Sequence, residues 1–475
     1  MRRIALAGLL GCCGCVAEWN GSDSGLQVSG DPPSLQSFRK LNQDTAGLAT
    51  LARGPDGAPW TMFCEWRGAG GLRVAGNACK RMHLVRLDGA PGDEQITGDG
   101  LIVRLKALYV VHDLPEGATP PTMRTITIHR PGEPAADDVT FQATPGKALY
   151  YIDDGGDDDV FVYWVLDPAT TQFDVFRRDQ RYHRTIPIPA GVDPTRPQDA
   201  KGFEFLLTSD GSALPLQAPD GHLTVYSTLD GSSVDLGDRC ALTAMDDPRK
   251  AMITVCADQG MHSLSLDGAT DRVLDPATVD PATLVLDGDR AYYVRGGDLW
   301  SVPLDGSAPP AVAATNAARY LDSGPGGEIV VSRDPADRYA GGAGDGWIGD
   351  WNFMERGRKM RWGGDGGHLY FLEHAATLGI VGDLTSVEVP GGAPLTLGLN
   401  VHMFDLLPDG RILAVENRVY AGTWNRLVVI DERAMTKRWV VPSATEFFLV
   451  PGAQSVVADV VSGASGYDIV QAPVP

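Results

Sequence analysis

Short runs of apolar and β-branched residues recur along the chain, and turns rich in Gly, Asp and Pro separate them. The clearest unit spans residues 283–314, TLVLDGDRAYYVRGGDLWSVPLDGSAPPAVAA, in which Asp287-Gly288 and Asp305-Gly306 are turn pairs between β-rich runs. It reads as a strand, a turn, a second strand, a loop and a third strand that closes on Leu-Asp-Gly. This pattern predicts an all-β chain built from a repeated module.

Similar closing turns occur elsewhere, and their spacing gives the size of the module. They are HLVRLDG (ending at Gly89), VYWVLDP (Pro168), TVYSTLDG (Gly231), HSLSLDG (Gly268), TSVEVPGG (Gly392) and RLVVIDE (Glu432), with TITIHRPG (Gly132) and YDIVQAP (Pro473) as weaker copies. The intervals from 231 to 268, from 268 to 306 and from 392 to 432 lie close to the 40 to 45 residues of one propeller blade. We therefore predict a β-propeller of about eight four-stranded blades, with seven or nine as alternatives. The longer intervals, 168 to 231 and 306 to 392, predict insertions.

A radial array of blades has to close, because an open ring exposes unpaired strand edges. Residues 447–474 supply strands but no outermost one, so we expect residues 36–41 to complete the last blade.

Three segments, LYYID, AYYVRGGDLWSVPLDG and HLYFLEH, resemble the repeats of the TolB and WD40-like propeller family. That family alternates an aromatic-rich strand with a strand ending in Leu-Asp-Gly. The resemblance covers most of residues 45–475 and implies a propeller. The partner-binding residues of the family have no identifiable counterparts here, so none are carried over.

The N-terminus has the pattern of an export signal: Met-Arg-Arg, an apolar run from Ile4 to Leu10, then Gly11 and Cys12. Leu9-Leu10-Gly11-Cys12 resembles the lipobox of bacterial lipoproteins, which implies a lipid on Cys12. Leu10 departs from the small residue preferred there, and Cys13 and Cys15 are rival acceptors. An ordinary cleaved signal or a short buried strand are the alternatives.

These features predict a signal peptide over residues 1–15, a flexible tether over 16–36 and one propeller domain over 37–475. The tether assignment follows from its Gly, Ser, Asp and Pro content without apolar periodicity. We expect an exported protein of the bacterial cell envelope, attached to the membrane through its lipid.

The four cysteines beyond the leader form two close pairs, Cys64 with Cys79 and Cys240 with Cys256. Cys240 and Cys256 each lie eight positions from Pro248, so a hairpin centred there sets their side chains opposite one another. Cys64 and Cys79 bracket a Gly-rich loop. We predict two disulfides, which suit an oxidising compartment; four buried thiols are the alternative.

The formal net charge of -21 repels phosphate backbones, so nucleic acid is not expected as a partner. Most Asp-Gly pairs are interpreted as turn residues, because Asp caps the turn and Gly supplies positive φ. A denser acidic run is formed by Asp153, Asp154, Asp157, Asp158 and Asp159. Hard cations prefer several oxygen ligands on a flexible loop, so this run is a candidate calcium site, and a solvated turn is the alternative.

The best candidate binding segment is the predicted insertion after Asp334. It combines aromatic and basic residues suited to a peptide, sugar or anion: Tyr339, Trp347, Trp351, Arg358, Arg361 and Trp362. The alternative is a displaced blade strand whose aromatic residues pack between sheets.

The sequence has no His-Glu-x-x-His, no zinc-ligand spacing and no Gly-x-Ser-x-Gly elbow, so no catalytic residue is assigned. We expect a non-catalytic protein that binds a protein, peptide or glycan. The alternative is a lyase or glycosidase-like enzyme acting on polysaccharide, with residues gathered at the central channel. Its sign would be titratable side chains converging within hydrogen-bond reach in that channel.

Overall fold

The structure is a computed structural model, and strands dominate it. It describes residues 26–45, 50–65, 79–103, 109–112, 124–134, 137–143, 149–154, 160–165, 172–177, 181–187, 204–257, 259–334, 344–374, 381–416, 425–452, 454–462 and 466–475. The helical elements of known extent in these ranges are 3-10 turns at Leu35–Ser37, Asp247–Arg249 and Pro281–Thr283, and residue 137 also has 3-10 geometry. Within the same ranges, no helix has the length and apolar character needed to cross a membrane.

The strands follow one another with short connections. In chain order they are β1 (Val28–Ser29), β2 (Arg39–Thr45), β3 (Thr50–Arg53), β4 (Pro59–Glu65), β5 (Cys79–Arg86), β6 (Glu94–Val103), β7 (Tyr109–His112), β8 (Arg124–Ile128), β9 (Val139–Ala143), β10 (Leu149–Asp154), β11 (Val160–Val165), β12 (Gln172–Arg177), β13 (Tyr182–Pro187), β14 (Glu204–Phe205), β15 (Ala213–Gln217), β16 (His222–Ser227), β17 (Ser233–Asp238), β18 (Ala241–Asp246), β19 (Ala251–Cys256), β20 (Gly260–Ser265), β21 (Asp271–Asp275), β22 (Val285–Asp287), β23 (Arg290–Arg295), β24 (Asp298–Pro303), β25 (Ala311–Ala314), β26 (Arg319–Ser323), β27 (Ile329–Ser332), β28 (Gly344–Ile348), β29 (Trp351–Trp362), β30 (His368–Glu373), β31 (Gly382–Glu388), β32 (Leu395–Leu406), β33 (Ile412–Glu416), β34 (Arg426–Asp431), β35 (Thr436–Pro442), β36 (Ala444–Leu449), β37 (Ser455–Ser462) and β38 (Gly466–Pro473).

Consecutive strands pair antiparallel into four-stranded sheets, which we call blades A to I. They are A (β3–β6), B (β10–β13), C (β14–β17), D (β18–β21), E (β22–β25), F (β26–β28 with the first part of β29), G (the second part of β29, β30, β31 and the first part of β32), H (the second part of β32 with β33–β35) and I (β36–β38 with β2). In the chain between blades A and B, β6 also pairs with β7, and β8 pairs with β9.

Two long strands pass directly from one blade into the next. Trp351 in the first part of β29 pairs with Ile348 of blade F, whereas Trp362 at its end pairs with Leu369 of blade G. β32 makes the same passage from blade G to blade H. The insertion predicted between residues 306 and 392 is therefore wrong, because this interval holds the strands of blades F and G.

Of the nine closing turns seen in the sequence, none lies in blade F, and the one at Gly132 lies between β8 and β9. A blade whose outer strand continues into its neighbour needs no separate linker. The pairing of the described residues gives nine four-stranded blades and the two additional ladders, so the predicted number of about eight is not confirmed, and nine was one of its two alternatives.

Successive blades stack face to face through apolar clusters. Leu223 of blade C packs with Met252 of blade D, and Ile253 of blade D packs with Tyr293 of blade E. Equivalent clusters join E to F, F to G, G to H and H to I. Because alternate residues of a strand point to opposite faces, each of these sheets buries both faces against neighbours.

The ring closes between the two ends of the chain. Phe63 of blade A packs with Val457 and Ile469 of blade I. The outermost strand of blade I is β2, which pairs with β38 so that Lys40 lies opposite Val470. The expected closure by the N-terminal segment is confirmed, although the strand spans Arg39–Thr45 rather than residues 36–41. The chain is an all-β propeller.

Part of the segment predicted as a flexible tether packs on this ring. β1 pairs in parallel with β35, and Leu26 and Val28 lie against the apolar cluster between blades G and H. Leu35 packs against the next cluster, between blades H and I. The predicted tether over residues 16–36 is thus docked on the propeller from residue 26 onward; residues 16–25 and the predicted signal lie outside the described residues.

A disulfide joins Cys240 and Cys256 across the hairpin of β18 and β19, with their Cα atoms 4.7 Å apart. The hairpin turns at Asp247–Arg249, and the next pair along it is Ala241 with Val255. This is the register that the spacing around Pro248 predicts. The side chains of Cys64 and Cys79 lie outside the described part of the structure, so their pairing stays a prediction.

The glycine of the closing turn meets the outermost strand of the preceding blade. Gly231, Gly268 and Gly306 all have positive φ. A Cβ atom at Gly268 would lie 2.5 Å from Leu236 Cδ2, and one at Gly306 would lie 2.6 Å from Arg272 Cδ. Arg272 also donates a hydrogen bond to the carbonyl of Asp305. The closing turn is therefore a contact between blades as well as a local turn.

We predict that Gly268→Ala lowers the free energy of unfolding more than Gly288→Ala, as measured by urea denaturation. Gly288 also has positive φ, but no neighbouring atom lies within 4 Å of an added Cβ. Gly288→Ala therefore measures only the cost of placing an alanine in this backbone conformation, about 1 kcal/mol. Gly268→Ala has the same backbone cost, and it also forces Leu236 to move, which lowers the free energy of unfolding by a further amount of about 1–3 kcal/mol. Equal losses in the two variants would contradict a role for this glycine between blades.

Candidate functional site

The residues predicted as a binding loop belong mainly to two strands. Trp347 lies in β28, whereas Trp351, Arg358, Arg361 and Trp362 lie in β29. Tyr339 lies outside the described residues. The segment is therefore a blade hairpin continuing into the next blade, which is the alternative interpretation of the sequence.

The structure distributes these side chains over several environments. Trp347 packs in the cluster between blades E and F, with the guanidinium of Arg333 4.1 Å from its ring centroid. Trp351 packs between blades F and G, its ring 5.8 Å from that of Phe353. The backbone of Arg358 pairs with Leu372, and its side chain is not among those described. Trp347 and Trp351 thus contribute to the core.

Arg361 and Trp362 lie at the end of β29, where Trp362 packs against the same cluster between blades F and G as Trp351. Trp362 lines a cleft of about 1150 Å³ between blades G and H. The lining residues are Trp362, Gly363, Gly364, Asp365, His368, Tyr370, Leu406, Leu407, Pro408, Asp409, Gly410, Arg411, Asp431, Glu432, Arg433 and Ala434. This cleft is the candidate functional site.

Three acidic turns build its rim. Asp365 accepts a hydrogen bond from the backbone N–H of Gly367 at 3.0 Å, and Asp409 accepts one from that of Arg411 at 3.1 Å. Asp431 accepts one from the N–H of Ala434 at 2.9 Å. Each carboxylate thereby fixes its own turn, as expected for turn aspartates. The three turns lie on one face of the propeller, which we call the turn face.

Glu432 is held from the neighbouring blade. Tyr370 Oη donates to Glu432 Oε2 at 2.8 Å, and Ser386 Oγ donates to Glu432 Oε1. Burial raises the pKa of Tyr370 above its usual value of 10.0, and the adjacent Glu432 raises it further. The pair links blade G to blade H and places a carboxylate in a defined orientation at the cleft wall.

Asp365, His368 and Arg433, which also line the cleft, form a charged group with longer distances than those at Glu432. His368 Nδ1 lies 3.5 Å and Arg433 Nη2 lies 3.8 Å from Asp365 Oδ2. The N–H of Gly367, together with His368 and Arg433, holds the pKa of Asp365 below its usual value of 3.8. The side chain of Arg433 is 86% exposed, so its guanidinium is accessible to a ligand.

The first strands of neighbouring blades also approach each other. Lys359 Nζ donates to the carbonyl of His402 at 3.1 Å, and Arg361 Nε lies 4.0 Å from Asp405 Oδ1. Burial and the nearby Lys359 lower the pKa of His402 from its usual value of 6.5. A catalytic channel was expected to bring titratable side chains within hydrogen-bond distance of each other. Arg361 and Asp405 are farther apart than that, so this pair does not meet the expectation.

Tyrosine–carboxylate bonds recur between other blades. Tyr293 of blade E donates to Asp275 of blade D, and Tyr320 of blade F donates to Asp287 of blade E. Burial, with the carboxylate acceptor, raises the pKa of both tyrosines. These pairs have the same form as Tyr370 with Glu432, which indicates that the bond at the cleft also has a structural role.

The described residues do not test the predicted calcium site. Asp153 and Asp154 belong to β10, with backbones opposite Val162 and Phe161, and their side chains are not described. Asp157, Asp158 and Asp159 lie outside the described residues. Among the residues the structure describes, no group of three or more His, Cys, Asp or Glu side chains could hold a metal ion. Calcium binding stays a prediction from the sequence.

Sequence reasoning did not single out His368, Tyr370, Glu432 or Arg433. Their segments, HLYFLEH and RLVVIDE, were visible as blade strands, and Asp365-Gly366 as a turn pair. The missing information was that strands 62 positions apart, at Tyr370 and Glu432, lie in contact. Only the stacking of blades G and H provides it.

No family model matches the chain. A curated relative, the phosphoglucosamine mutase of Syntrophomonas wolfei subsp. wolfei (strain DSM 2245B / Goettingen), is 30% identical over 167 residues. The match covers 35% of this chain and 34% of the mutase, so the chain spans about a third of that relative's length. This partial similarity assigns the chain to no family.

Solved structures with a similar backbone include a eukaryotic initiation factor, with a TM-score of 0.40, 10% identity and coverage of 69% of this chain and 88% of that chain. The C-terminal WD40 domain of Sif2 has a TM-score of 0.31, 9% identity and coverage of 67% and 93%. The tricorn protease has a TM-score of 0.29 and 10% identity, and the match covers 87% of this chain and 56% of that chain. These scores are low, so the propeller fold rests on the strand pairing and blade stacking of the chain itself.

We predict that stability falls above pH 10 and that Tyr370→Phe makes this fall shallower. A tyrosine whose pKa is raised by folding stays protonated in the folded state while the unfolded chain ionises above 10.0. Its stabilisation is complete below that pH and is lost as pH rises. Urea denaturation at pH 9, 10 and 11 measures how steeply the free energy of unfolding falls with pH. We expect this slope to be smaller in the variant by up to about 1.4 kcal/mol per pH unit. Identical slopes would contradict the described burial of this hydroxyl.

Proposed function

We propose that this chain is an exported, lipid-anchored protein of the bacterial cell envelope whose propeller binds a protein, peptide or glycan at the cleft between blades G and H. The observation that carries the binding proposal is the cleft itself. It combines apolar walls from Trp362, Leu406 and Leu407 with an exposed guanidinium at Arg433. Such a mixture of apolar surface and a few oriented polar groups is typical of ligand sites.

The engagement of the acidic side chains favours binding over catalysis. Asp365, Asp409 and Asp431 each accept a backbone N–H in their own turn. Glu432 accepts a hydrogen bond from a hydroxyl group at each of its two oxygens. Carboxylates fixed in this way present oriented acceptors to a ligand, whereas a general acid or base has to exchange a proton with the substrate.

The envelope location is supported by the leader and by the disulfide between Cys240 and Cys256.

We predict that the mature chain produced in a bacterial host carries a diacylglyceryl group on Cys12 and fractionates with membranes. Mass spectrometry of the N-terminal peptide measures the modification. Cys12→Ser should release the protein into the soluble envelope fraction. If the variant retains the lipid mass, the acceptor is Cys13 or Cys15; an unmodified wild-type N-terminus would refute the anchor.

We predict that Arg433→Glu reduces ligand retention about tenfold or more, because it reverses the accessible charge at the cleft. The measurement screens purified protein against a peptide display library and an immobilised glycan array, with mass spectrometry of bound material for turnover.

Arg53→Glu is the matched control, since Arg53 is also exposed but does not line the cleft. Equal retention by wild type and Arg433→Glu would exclude this cleft as the binding site. Cleavage of a bound glycan would instead support the enzymatic alternative.

A further inference from the structure

The position of β1 determines where the N-terminal segment leaves the propeller. β1 runs parallel to β35, with Val28 opposite Lys437 and Ser29 opposite Arg438. β35 begins at Thr436, directly after the cleft-lining residues 431–434. Because the pairing is parallel, the residues that precede Val28 lie toward this turn. The chain therefore reaches blade H from the turn face.

Side-chain packing gives the same direction. Leu26 lies against the cluster that contains Tyr370, a residue of the cleft wall. Further along, Arg39 at the start of β2 donates to the carbonyl of Arg86, at the end of β5. Arg86 forms an ion pair of 2.7 Å with Asp88 in the closing turn of blade A. Both ends of the segment from residue 26 to 39 thus lie at the turn face.

The linker before this point is short compared with the propeller. Cys12 and Leu26 are 14 positions apart in the sequence. The sequence predicts a flexible tether there, and a flexible chain of that length has an end-to-end distance of about 20 Å. Six-residue strands such as β34 separate the two faces of a blade by about 20 Å as well. An attachment at the turn face therefore keeps that face closer to the anchor than the opposite one.

We propose that the turn face, which bears the cleft, is directed toward the membrane that holds the N-terminal lipid, so that the cleft takes a ligand presented at that membrane surface. This inference rests on the lipid anchor of the proposed function. It goes beyond that function by orienting the site: a ligand reaches the cleft from the membrane side, and the opposite face is exposed to the surrounding compartment.

The test is energy transfer from a dye on the propeller to headgroup-labelled lipids in vesicles that carry the purified, acylated full-length protein. The dye is attached through an azide-bearing residue introduced at one of two exposed positions near blade H. Ala434 lies at the cleft on the turn face, and Asn400 lies where β32 enters blade H, at the opposite end of the strand. We expect higher transfer from position 434 than from position 400.

The anchor and the orientation fail in different ways. If the wild-type chain does not remain on the vesicles, the anchor is wrong, and the orientation falls with it. If the protein remains bound but transfer is equal from the two positions, or higher from position 400, the orientation alone is wrong. Cys12→Ser gives the background transfer without attachment.

A second pair of variants tests whether β1 sets the orientation. Val28 is half-buried against the cluster between blades G and H, whereas its neighbour Gln27 is exposed. Val28→Asp should release β1, lengthen the free linker and reduce the difference in transfer between positions 434 and 400. Gln27→Asp, with the same added charge, should leave the difference unchanged. A difference that survives in Val28→Asp would overturn the assigned role of β1.

Discussion

The structure depends on the burial of both faces of each four-stranded sheet against neighbouring sheets. A single sheet of this size, with residues such as Ile253 on one face and Met252 on the other, leaves one apolar face in water unless a second sheet covers it. Stacking further sheets in a row still leaves the outer apolar face of the last sheet uncovered. Contact between Phe63 of blade A and Val457 of blade I covers this face, because it joins the last blade to the first.

Polar contacts between blades are consistent with this requirement. Tyr293, Tyr320 and Tyr370 each donate a hydrogen bond to a carboxylate of an adjacent blade. A buried hydroxyl without a partner is costly, so these bonds favour one alignment of neighbouring sheets. At blades G and H the same alignment sets three acidic turns side by side, and the cleft follows from it. The candidate site is thus a product of stacking rather than of a long loop.

Much of the fold could be predicted from the sequence, because strands, turns and their spacing are local properties. The unit at residues 283–314, the hairpin around Pro248 and the closure by the N-terminal strand all follow from such patterns. The choice among seven, eight and nine blades could not be made from the sequence, and the cleft could not be predicted. β29 and β32 cross between blades without a turn, and Tyr370 meets Glu432 across 62 positions of sequence. Trp347 and Trp351 suggested a binding loop because an aromatic residue of the core and one of a ligand site look alike in a sequence.

Ring closure by the N-terminal strand is the central claim, and amide hydrogen exchange measures it most directly. The comparison is between the full chain and a chain lacking residues 1–45, followed by mass spectrometry of the peptide that contains β38. We expect slow exchange in the full chain, because β38 pairs with both β37 and β2. In the shortened chain, exchange should accelerate in β38 and at the contact of blades I and A. Equal protection in the two chains would show that β2 does not close the ring.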